Sequence, residues 1–179
     1  MRNNRYATFD ADDRIAFAAN PAFDASTMEV WAALLNGGAL VVIAPEVMME
    51  AERLAAELQR HRITTLFLTT ALFNQYVHSI SGALAQLKYL ISGGEKEDPG
   101  AYARLLQERG PVHLIHAYGP TETTTFATTA RIERAEGRRA CRLGNRSAIP
   151  ALLAGRPRAR CRWGGGELHI GGVGWRWAT

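Results

Sequence analysis

The sequence predicts an α/β fold in which a parallel β-sheet carries helices on its faces, and three observations support this prediction. Short apolar segments alternate with amphipathic ones at least three times between residues 14 and 118. The connections are short and carry Gly or Pro, as at Gly37-Gly38 and Gly110-Pro111. Hydrophobic residues form 47% of the 179 positions and charged residues 21%, a balance typical of a folded protein with an apolar core. Alternating strands and helices joined by short connections favour parallel strand pairing.

The first predicted strand–helix–strand unit covers residues 14–44. A strand at 14–18 precedes a helix for which Ser26 is the predicted N-cap and Glu29 the matching acid three positions later. The buried stripe of this helix is expected to contain Trp31, Leu34 and Leu35. Residues 39–44 are continuously apolar, which predicts a strand buried on both faces.

Two further units follow. Early acidic residues and leucines four positions apart predict one helix over residues 46–60. The other predicted elements are a strand at 63–68, a helix around 72–80, a strand at 89–92, a helix at 98–109 and a strand at 112–115. His113 and His116 are an odd number of positions apart on this last strand. They are therefore expected to face opposite sides and not to share a metal ion.

The turn after the last predicted strand is the candidate functional site. Gly119-Pro120 predicts a sharp turn, because proline fixes φ and glycine accepts conformations that reverse the chain. Tyr118, Thr121 and Glu122 are therefore delivered together at the carboxyl end of a strand, where open α/β sheets bind ligands. A ring can stack on a base, a hydroxyl can hydrogen-bond a phosphate and a carboxylate can hold Mg²⁺. A nucleotide site is thus one interpretation, and an ordinary polar turn is the other.

Composition excludes several classes of protein and divides the chain in two. No apolar run approaches the ~20 residues that span a bilayer, and no apolar signal-peptide core follows Met1, so a cytoplasmic protein is expected. Cys141 and Cys161 lack the spacing of a zinc site or a disulfide framework. Residues 1–130 hold 10 Lys and Arg against 14 Asp and Glu (net −4), and residues 131–179 hold 11 against 3 (net +8). A basic, Trp-bearing tail that binds nucleic acid is one hypothesis for the second part.

Four motifs occur in order along the chain: Phe23-Asp-Ala-Ser26, Ser92-Gly-Gly-Glu95, Tyr118-Gly-Pro-Thr-Glu122 and Gly166–Gly174. Together they resemble the signatures of amino-acid adenylation domains of nonribosomal peptide synthetases, within the adenylate-forming, AMP-binding enzyme superfamily. The resemblance implies that the parallel-sheet βαβ layers are part of the large N-terminal lobe of an adenylate-forming enzyme. The implied reaction converts an amino acid and ATP to aminoacyl-AMP and pyrophosphate. The acyl group then passes to the phosphopantetheine thiol of a carrier protein.

The resemblance also implies roles for individual residues. Tyr118 would stack on adenine, while Thr121 would contact phosphate and Glu122 would hold Mg²⁺ as the catalytic pair. The ATP or AMP site would further include Gly93, Gly94, Glu95, Ala117 and Gly119. Asp24 would bind the α-amino group of the substrate through a charge-assisted hydrogen bond, with helix capping as the alternative. The side-chain pocket would be lined by Ala25, Met28, Phe67, Ile91, Gly93, Ala117, Thr125 and Phe126. This apolar lining predicts a branched aliphatic amino acid such as valine, with isoleucine not distinguished from it.

Three groups typical of the family have no counterpart in the 179 residues: the phosphate loop with its lysine, the aspartate that holds the ribose and the lysine of the C-terminal lid. We therefore expect a fragment that is inactive alone, since positioning and electrostatic stabilisation supply most of the catalysis. The predicted organisation is a partial adenylation core at 1–130, an atypical Arg-rich stretch at 131–165 and a remnant of the following β-subdomain at 166–179. A reading-frame disturbance would explain the atypical stretch. A non-catalytic remnant is an alternative, whereas Asp24 argues against a fatty-acyl or aryl-acid ligase, whose substrates lack an α-ammonium.

Overall fold

The computed structural model describes residues 6–96, 98–108, 110–121 and 125–133. The predicted metal ligand Glu122 lies outside the described residues. Positions 134–165 of the Arg-rich stretch and the whole predicted 166–179 segment also lie outside them. Within the described ranges, no helix is long and apolar enough to cross a membrane.

Strands and helices alternate along the described residues. The elements are β1 (Arg14–Phe17), α1 (Ala25–Leu34), β2 (Ala39–Val42), α2 (Pro45–Met48), α3 (Ala51–Arg60), β3 (Thr65–Thr69), α4 (Thr70–Tyr76), α5 (Ser81–Leu84), β4 (Tyr89–Gly93), α6 (Pro99–Gln107), β5 (His113–Tyr118) and β6 (Thr128–Arg131). The strands form a sheet in the order β2-β1-β3-β4-β5-β6. Strands β1 to β5 are parallel, and β6 runs antiparallel to β5. The predicted α/β fold is confirmed.

The antiparallel strand β6 is the departure from an all-parallel sheet. It pairs with β5 so that Tyr118 lies opposite Thr128 and Ala117 lies opposite Thr129. Its sequence, Thr-Thr-Ala-Arg, is short and mostly polar, and therefore carries no apolar signal for a strand. β6 matters for the site because it returns the chain alongside the predicted nucleotide turn.

Strand β2 lies at the edge of the described sheet. The prediction that residues 39–44 are a strand buried on both faces is wrong, because the strand ends at Val42 and the side chain of Val42 is 72% exposed. In the described part of the chain, β2 pairs with β1 alone. A continuous apolar run therefore identified the strand but not its position in the sheet.

Two apolar cores lie on opposite faces of the sheet, because successive strand residues point to opposite sides. The larger core packs α3 to α6 against the sheet and includes Leu66 and Leu90. The smaller core packs α1 and residues 6–9 against the other face and includes Ile91 and Met28. The smaller core contains much of the predicted side-chain pocket.

Helix α1 begins earlier than predicted and buries a different face. Its N-cap is Asp24, whose side chain makes no capping hydrogen bond, and Ser26 lies inside the first turn and donates to the carbonyl oxygen of Phe23. The predicted buried stripe is also wrong, since Trp31, Leu34 and Leu35 are between 40% and 57% exposed. The buried face instead contains Met28, Glu29, Ala32 and Ala33. The small alanines allow α1 to lie close to the sheet.

The predicted helix at 46–60 is two helices in the structure. It divides into α2 and α3, with Glu50 in extended conformation between them at φ −122° and ψ 107°. The helix predicted around 72–80 is α4, which ends earlier at Tyr76, and α5 begins beyond the predicted range at Ser81. At the other end of the described chain, β5 continues to Tyr118. Tyr118 is therefore the last residue of a strand, and the turn begins at Gly119.

The two histidines of β5 face opposite sides, as predicted. The ring of His113 stacks on Tyr89 with centroids 4.6 Å apart, and the ring of His116 meets the edge of Tyr102 at 6.4 Å. Tyr89 belongs to the smaller core and Tyr102 to the larger one. Burial lowers the pKa of His113, and the nearby charges of Arg131 and Lys88 lower it further.

Candidate functional site

The candidate site lies at the carboxyl ends of β3, β4 and β5. Thr69 at the end of β3 pairs with Gly93, and Gly93 at the end of β4 pairs with Ala117. Carboxyl ends of parallel neighbours meet at one edge of the sheet, where ligands of open α/β folds bind. The structure therefore places the predicted Gly93–Glu95 loop beside the predicted Tyr118 turn.

Two glycines allow close backbone packing at this edge. A Cβ added to Gly93 would overlap the carbonyl oxygen of Ala117 in β5. A Cβ added to Gly119 would lie 2.7 Å from the backbone nitrogen of Ala127. Both contacts are with backbone atoms, which cannot move aside as a flexible side chain can. The absence of a side chain at these two positions is therefore a requirement of the site geometry.

The Gly94-Glu95 loop leaves β4 in a conformation that favours glycine. Gly94 has φ +106°, in the left-handed region that residues with a Cβ rarely adopt. The hydroxyl of Thr70 donates to the carbonyl oxygen of Glu95 at 3.3 Å and so ties the loop to α4. The side chain of Glu95 is exposed.

The turn after β5 presents an aromatic ring and a hydroxyl to solvent. Tyr118 is 39% exposed, and its carbonyl oxygen accepts a hydrogen bond of 2.8 Å from the amide of Ala127. Thr121 is exposed in the same turn. Among the described residues, no group of three or more His, Cys, Asp or Glu side chains could hold a metal ion. The Mg²⁺ site predicted at Glu122 lies outside the described residues and stays a prediction.

The structure brings Asp24 and Thr125 together, although they are 101 positions apart in the sequence. The amide of Thr125 donates to Asp24 Oδ2 at 3.0 Å, and Thr125 Oγ1 donates to the carbonyl oxygen of Asp24 at 3.1 Å. Thr125 is buried, and its φ of +82° is unusual for a β-branched residue. The residue predicted to bind the amino group therefore contacts the end of the nucleotide turn.

Five of the eight predicted pocket-lining residues lie in the smaller core or pack against it. Met28, Ile91 and Ala117 are at most 1% exposed, and all three belong to this core. Phe67 and Phe126 are partly buried against it, with ring centroids 5.9 Å apart. The remaining lining residues, Ala25, Gly93 and Thr125, are buried as well. Apart from Asp24, this set has no charged side chain.

Glu29 is a site neighbour whose role the sequence prediction missed. It is fully buried, and its carboxylate accepts hydrogen bonds of 3.1 Å from the amides of Ala18 and Ala19. These bonds hold the segment that leaves β1 and leads to Asp24. The capping pattern Ser-x-x-Glu predicted a contact with Ser26, but the helix begins before Ser26 and the carboxylate reaches a different loop. Burial raises the pKa of Glu29 to about 7, and the two backbone hydrogen bonds oppose this rise.

We expect Glu29→Gln to flatten the pH dependence of stability. The pKa of Glu29 is about 7 in the folded protein against an ordinary value of 4.5, so folding takes up a proton between these values. Its contribution is therefore fully present below about pH 4.5 and is lost as the pH rises through 7. The shift corresponds to roughly 3 kcal/mol. Denaturant titrations of the intact protein at pH 5 and pH 8 measure the difference between wild type and variant.

The matched control for this measurement is Glu52→Gln. Glu52 is an exposed glutamate in the first turn of α3 and lies outside both cores. This variant should keep the wild-type pH dependence. An identical pH dependence in wild type and Glu29→Gln would contradict the assignment of a raised pKa to Glu29.

A cavity of about 480 Å³ lies away from the candidate site. Its lining includes Thr64, which precedes β3, and Leu87, which precedes β4. It therefore opens at the amino ends of these strands, whereas the predicted nucleotide and amino-acid residues lie at their carboxyl ends. The cavity and the candidate site are separate features.

The fold and the glycine-lined strand ends define a class of ligand-binding α/β protein, and comparison with known proteins gives the family. The chain belongs to the AMP-binding enzyme family, whose sequence profile matches residues 1–173. It is 45% identical over 185 aligned residues to malpibaldin synthetase of Mortierella alpina. It is 39% identical over 137 residues to surfactin synthase subunit 2 of Bacillus subtilis (strain 168). It is also 37% identical over 126 residues to nonribosomal peptide synthetase asaC of Aspergillus flavus, and the predicted resemblance is confirmed.

Solved structures give the same assignment. Holo-PA1221, an NRPS protein containing adenylation and PCP domains bound to a vinylsulfonamide inhibitor, matches 73% of this chain with a TM-score of 0.67 and 30% identity. The N-terminal subdomain of NpsA from Klebsiella oxytoca, in complex with 3-hydroxyanthranilyl-AMSN, matches 70% with a TM-score of 0.63 and 26% identity. The described fold thus corresponds to the N-terminal lobe of an adenylation domain.

The chain spans only a small share of these relatives. The alignment with malpibaldin synthetase includes 96% of this chain but only 3% of that protein. The alignment with surfactin synthase subunit 2 includes 4% of that protein. The chain covers 23% of the PA1221 chain and 32% of the NpsA subdomain. The family match runs across residues 131–165, and the predicted boundaries at 130 and 165 stay predictions.

Proposed function

We propose that this chain forms the adenine and amino-acid side of an aminoacyl-adenylate site. The contact between Asp24 and Thr125 is the observation that supports the proposal most strongly. It joins the predicted ammonium-binding carboxylate to the turn that begins beside Tyr118. Two ligand-binding elements from distant parts of the sequence thus meet at one edge of the sheet, as a reaction between an amino acid and a nucleotide requires.

In the proposed reaction, an oxygen of the amino-acid carboxylate attacks the α-phosphorus of ATP, and pyrophosphate leaves. Tyr118 would hold adenine by stacking, because its ring is 39% exposed at the strand end. Thr121 would donate its hydroxyl to a phosphate oxygen. Glu122 would hold Mg²⁺, because a carboxylate supplies the hard oxygen ligand this ion prefers. Bound Mg²⁺ would neutralise phosphate charge during the transfer.

The proposed substrate is a branched aliphatic amino acid such as valine. Its ammonium would pair with Asp24, and its side chain would lie against Met28, Ile91 and Phe126. These apolar residues belong to the smaller core or pack against it, and they add no second charge. A single methylene contributes only ~1–3 kcal/mol of discrimination in such a pocket, so valine and isoleucine would both be accepted to some degree.

The acyl group would then form a thioester with the phosphopantetheine thiol of a peptidyl carrier protein, with loss of AMP. A carrier (PCP) domain accompanies the adenylation domain in the similar protein PA1221. We propose that the 179 residues alone are inactive, because this sequence lacks the phosphate loop, the ribose aspartate and the lid lysine. Action in the cytoplasm stays a prediction.

Amino-acid-dependent exchange of pyrophosphate into ATP tests the proposal on the intact protein, by which we mean a full-length synthetase that contains these 179 residues. The panel should contain the twenty amino acids and 3-hydroxybenzoate, an aryl acid without an amino group, since a similar subdomain is in complex with 3-hydroxybenzoyl-AMSN. We expect valine or another branched aliphatic amino acid to give the highest rate. Exchange with the aryl acid alone would contradict the ammonium-binding role of Asp24.

We also expect Tyr118→Ala to raise the KM for ATP in this assay. Loss of base stacking costs ~1–3 kcal/mol, which corresponds to roughly 5- to 150-fold. Tyr118→Phe is the matched control, because it keeps the aromatic ring and should remain close to wild type. An unchanged KM for ATP in Tyr118→Ala would show that adenine does not stack on this ring.

A further inference from the structure

Thr125 makes two hydrogen bonds to a single distant residue. Its amide donates to the side chain of Asp24 at 3.0 Å, and its hydroxyl donates to the main-chain carbonyl of Asp24 at 3.1 Å. The first bond fixes the carboxylate, and the second fixes the backbone from which that carboxylate projects. Two bonds to one residue determine its orientation better than either bond alone.

Within the described residues, the hydrogen bond to the Asp24 carboxylate uses one of its two oxygens. Asp24 is the N-cap of α1, where an aspartate usually accepts from the first helical amides, but its side chain makes no such bond. In the described part of the chain, the hydrogen bond to its carboxylate comes from Thr125 and is made to Oδ2. Oδ1 can therefore accept from an ammonium group without losing a bond to any of the described residues.

The backbone of Thr125 is held in a strained conformation. Its φ is +82°, a region where a β-branched residue is a clear outlier. Such a conformation persists only when the surroundings enforce it, and it is often associated with a binding site. Thr125 is 3% exposed and is enclosed between Asp24 and the backbone of Gly119. In this conformation, both hydrogen-bond donors of Thr125 face Asp24.

The same residue is linked to the nucleotide turn. A Cβ on Gly119 would overlap the carbonyl oxygen of Thr125, so the two backbones are in direct contact. The amide of Ala127 donates to the carbonyl of Tyr118, which closes the turn that contains Thr125. A ligand bound at Tyr118 would therefore lie next to the backbone that carries the two donors to Asp24.

From this geometry we propose that Thr125 is a positioning residue that orients Asp24 and couples amino-acid binding to nucleotide binding. The inference rests on the proposed function, because it assumes that Asp24 accepts the substrate's ammonium. Coupling between two ligands is reciprocal. Nucleotide bound at Tyr118 strengthens amino-acid binding, and the amino acid strengthens nucleotide binding by the same factor.

The test measures dissociation constants of valine, or of the amino acid that gives the highest exchange, on the intact protein with and without AMP. Thr125→Val removes the hydroxyl and keeps the amide and the β-branch. We expect the amino-acid dissociation constant to rise about 3- to 10-fold, as for loss of one hydrogen bond. We also expect the effect of AMP on that constant to decrease. Thr125→Ser keeps the hydroxyl and should restore both values.

Two further arms separate positioning from general stability. Thr125→Gly relaxes the φ of +82° and also lacks the hydroxyl. It should fold and still bind the amino acid more weakly. The des-amino analogue, 3-methylbutanoate for valine, does not use Asp24, so its binding should be the same in wild type and Thr125→Val. Thr65→Val replaces another buried threonine, at the amino end of β3 and away from the site, and is the matched control that should leave binding unchanged.

The possible results distinguish the positioning role of Thr125 from the proposed function of the site. If the wild type binds both ligands and the Thr125 variants match it in affinity and coupling, the positioning role is wrong and the proposed function stands. If Thr125→Val weakens the amino acid and its des-amino analogue equally, the effect does not pass through Asp24 and the inference is also overturned. If the wild type binds no amino acid, the proposed function fails and the inference fails with it.

Discussion

Asp24→Asn is expected to lower kcat/KM for the amino acid by about 30- to 5,000-fold, with a much smaller change in the KM for ATP. The amide oxygen of asparagine can still accept the hydrogen bond that Thr125 donates at 3.0 Å. The substrate's ammonium, however, would lose its counter-charge and meet a donor group. Leaving one partner of a buried, hydrogen-bonded charge pair unpaired costs about 2–5 kcal/mol, which gives the stated range.

Pyrophosphate exchange on the intact protein, with each substrate varied in turn, measures this effect. Asp12→Asn is the matched control, because Asp12 is exposed and precedes β1 at the opposite edge of the sheet. It should behave as wild type. A wild-type rate for Asp24→Asn would mean that the ammonium binds elsewhere, and the amino-acid part of the proposal would have to be abandoned.

Much of the fold was predictable because local patterns repeat over short connections. The alternation of apolar and amphipathic segments predicted strands β1 to β5 and their parallel pairing. The position of β2 could not be read in the same way, since an apolar run does not report whether neighbours cover both of its sides. The exposed Trp31 of α1 shows the same limit. The size and hydrophobicity of Trp31 predicted a buried side chain, but the sheet contacts the smaller residues of the helix.

The site was predictable only where one motif supplies both the residue and its placement. Gly93 and Tyr118 follow apolar strands, so their place at one edge of the sheet follows from the parallel order. The positive φ of Thr125 was not predictable, because β-branched residues ordinarily avoid it. The contact of Glu29 with Ala18 and Ala19 depends on how α1 packs after β1. No local pattern encodes that packing.

The close approach of β4 and β5 leads to the second large expected effect. Gly93→Ala should destabilise the lobe by about 1–3 kcal/mol or more, because overpacking in a site enclosed by backbone cannot be relieved by a rotamer change. The added methyl would overlap the carbonyl oxygen of Ala117, whose neighbour is Tyr118. The strands would have to separate at the edge that holds both predicted ligands. Nucleotide and amino-acid affinity should therefore fall together.

Gly82→Ala provides the matched control for this change. Gly82 lies in α5, and a Cβ added there meets nothing within 4 Å. This variant should match or exceed the wild-type stability by roughly 0.5–1 kcal/mol, as alanine is favoured over glycine in a helix. Denaturant titration and AMP binding compare the two variants with wild type. The opposite outcome is that Gly93→Ala is as stable as Gly82→Ala and binds AMP like the wild type. That result would show that the backbone of β4 does not need to approach β5 this closely. Gly93 would then be required neither for packing nor for the site.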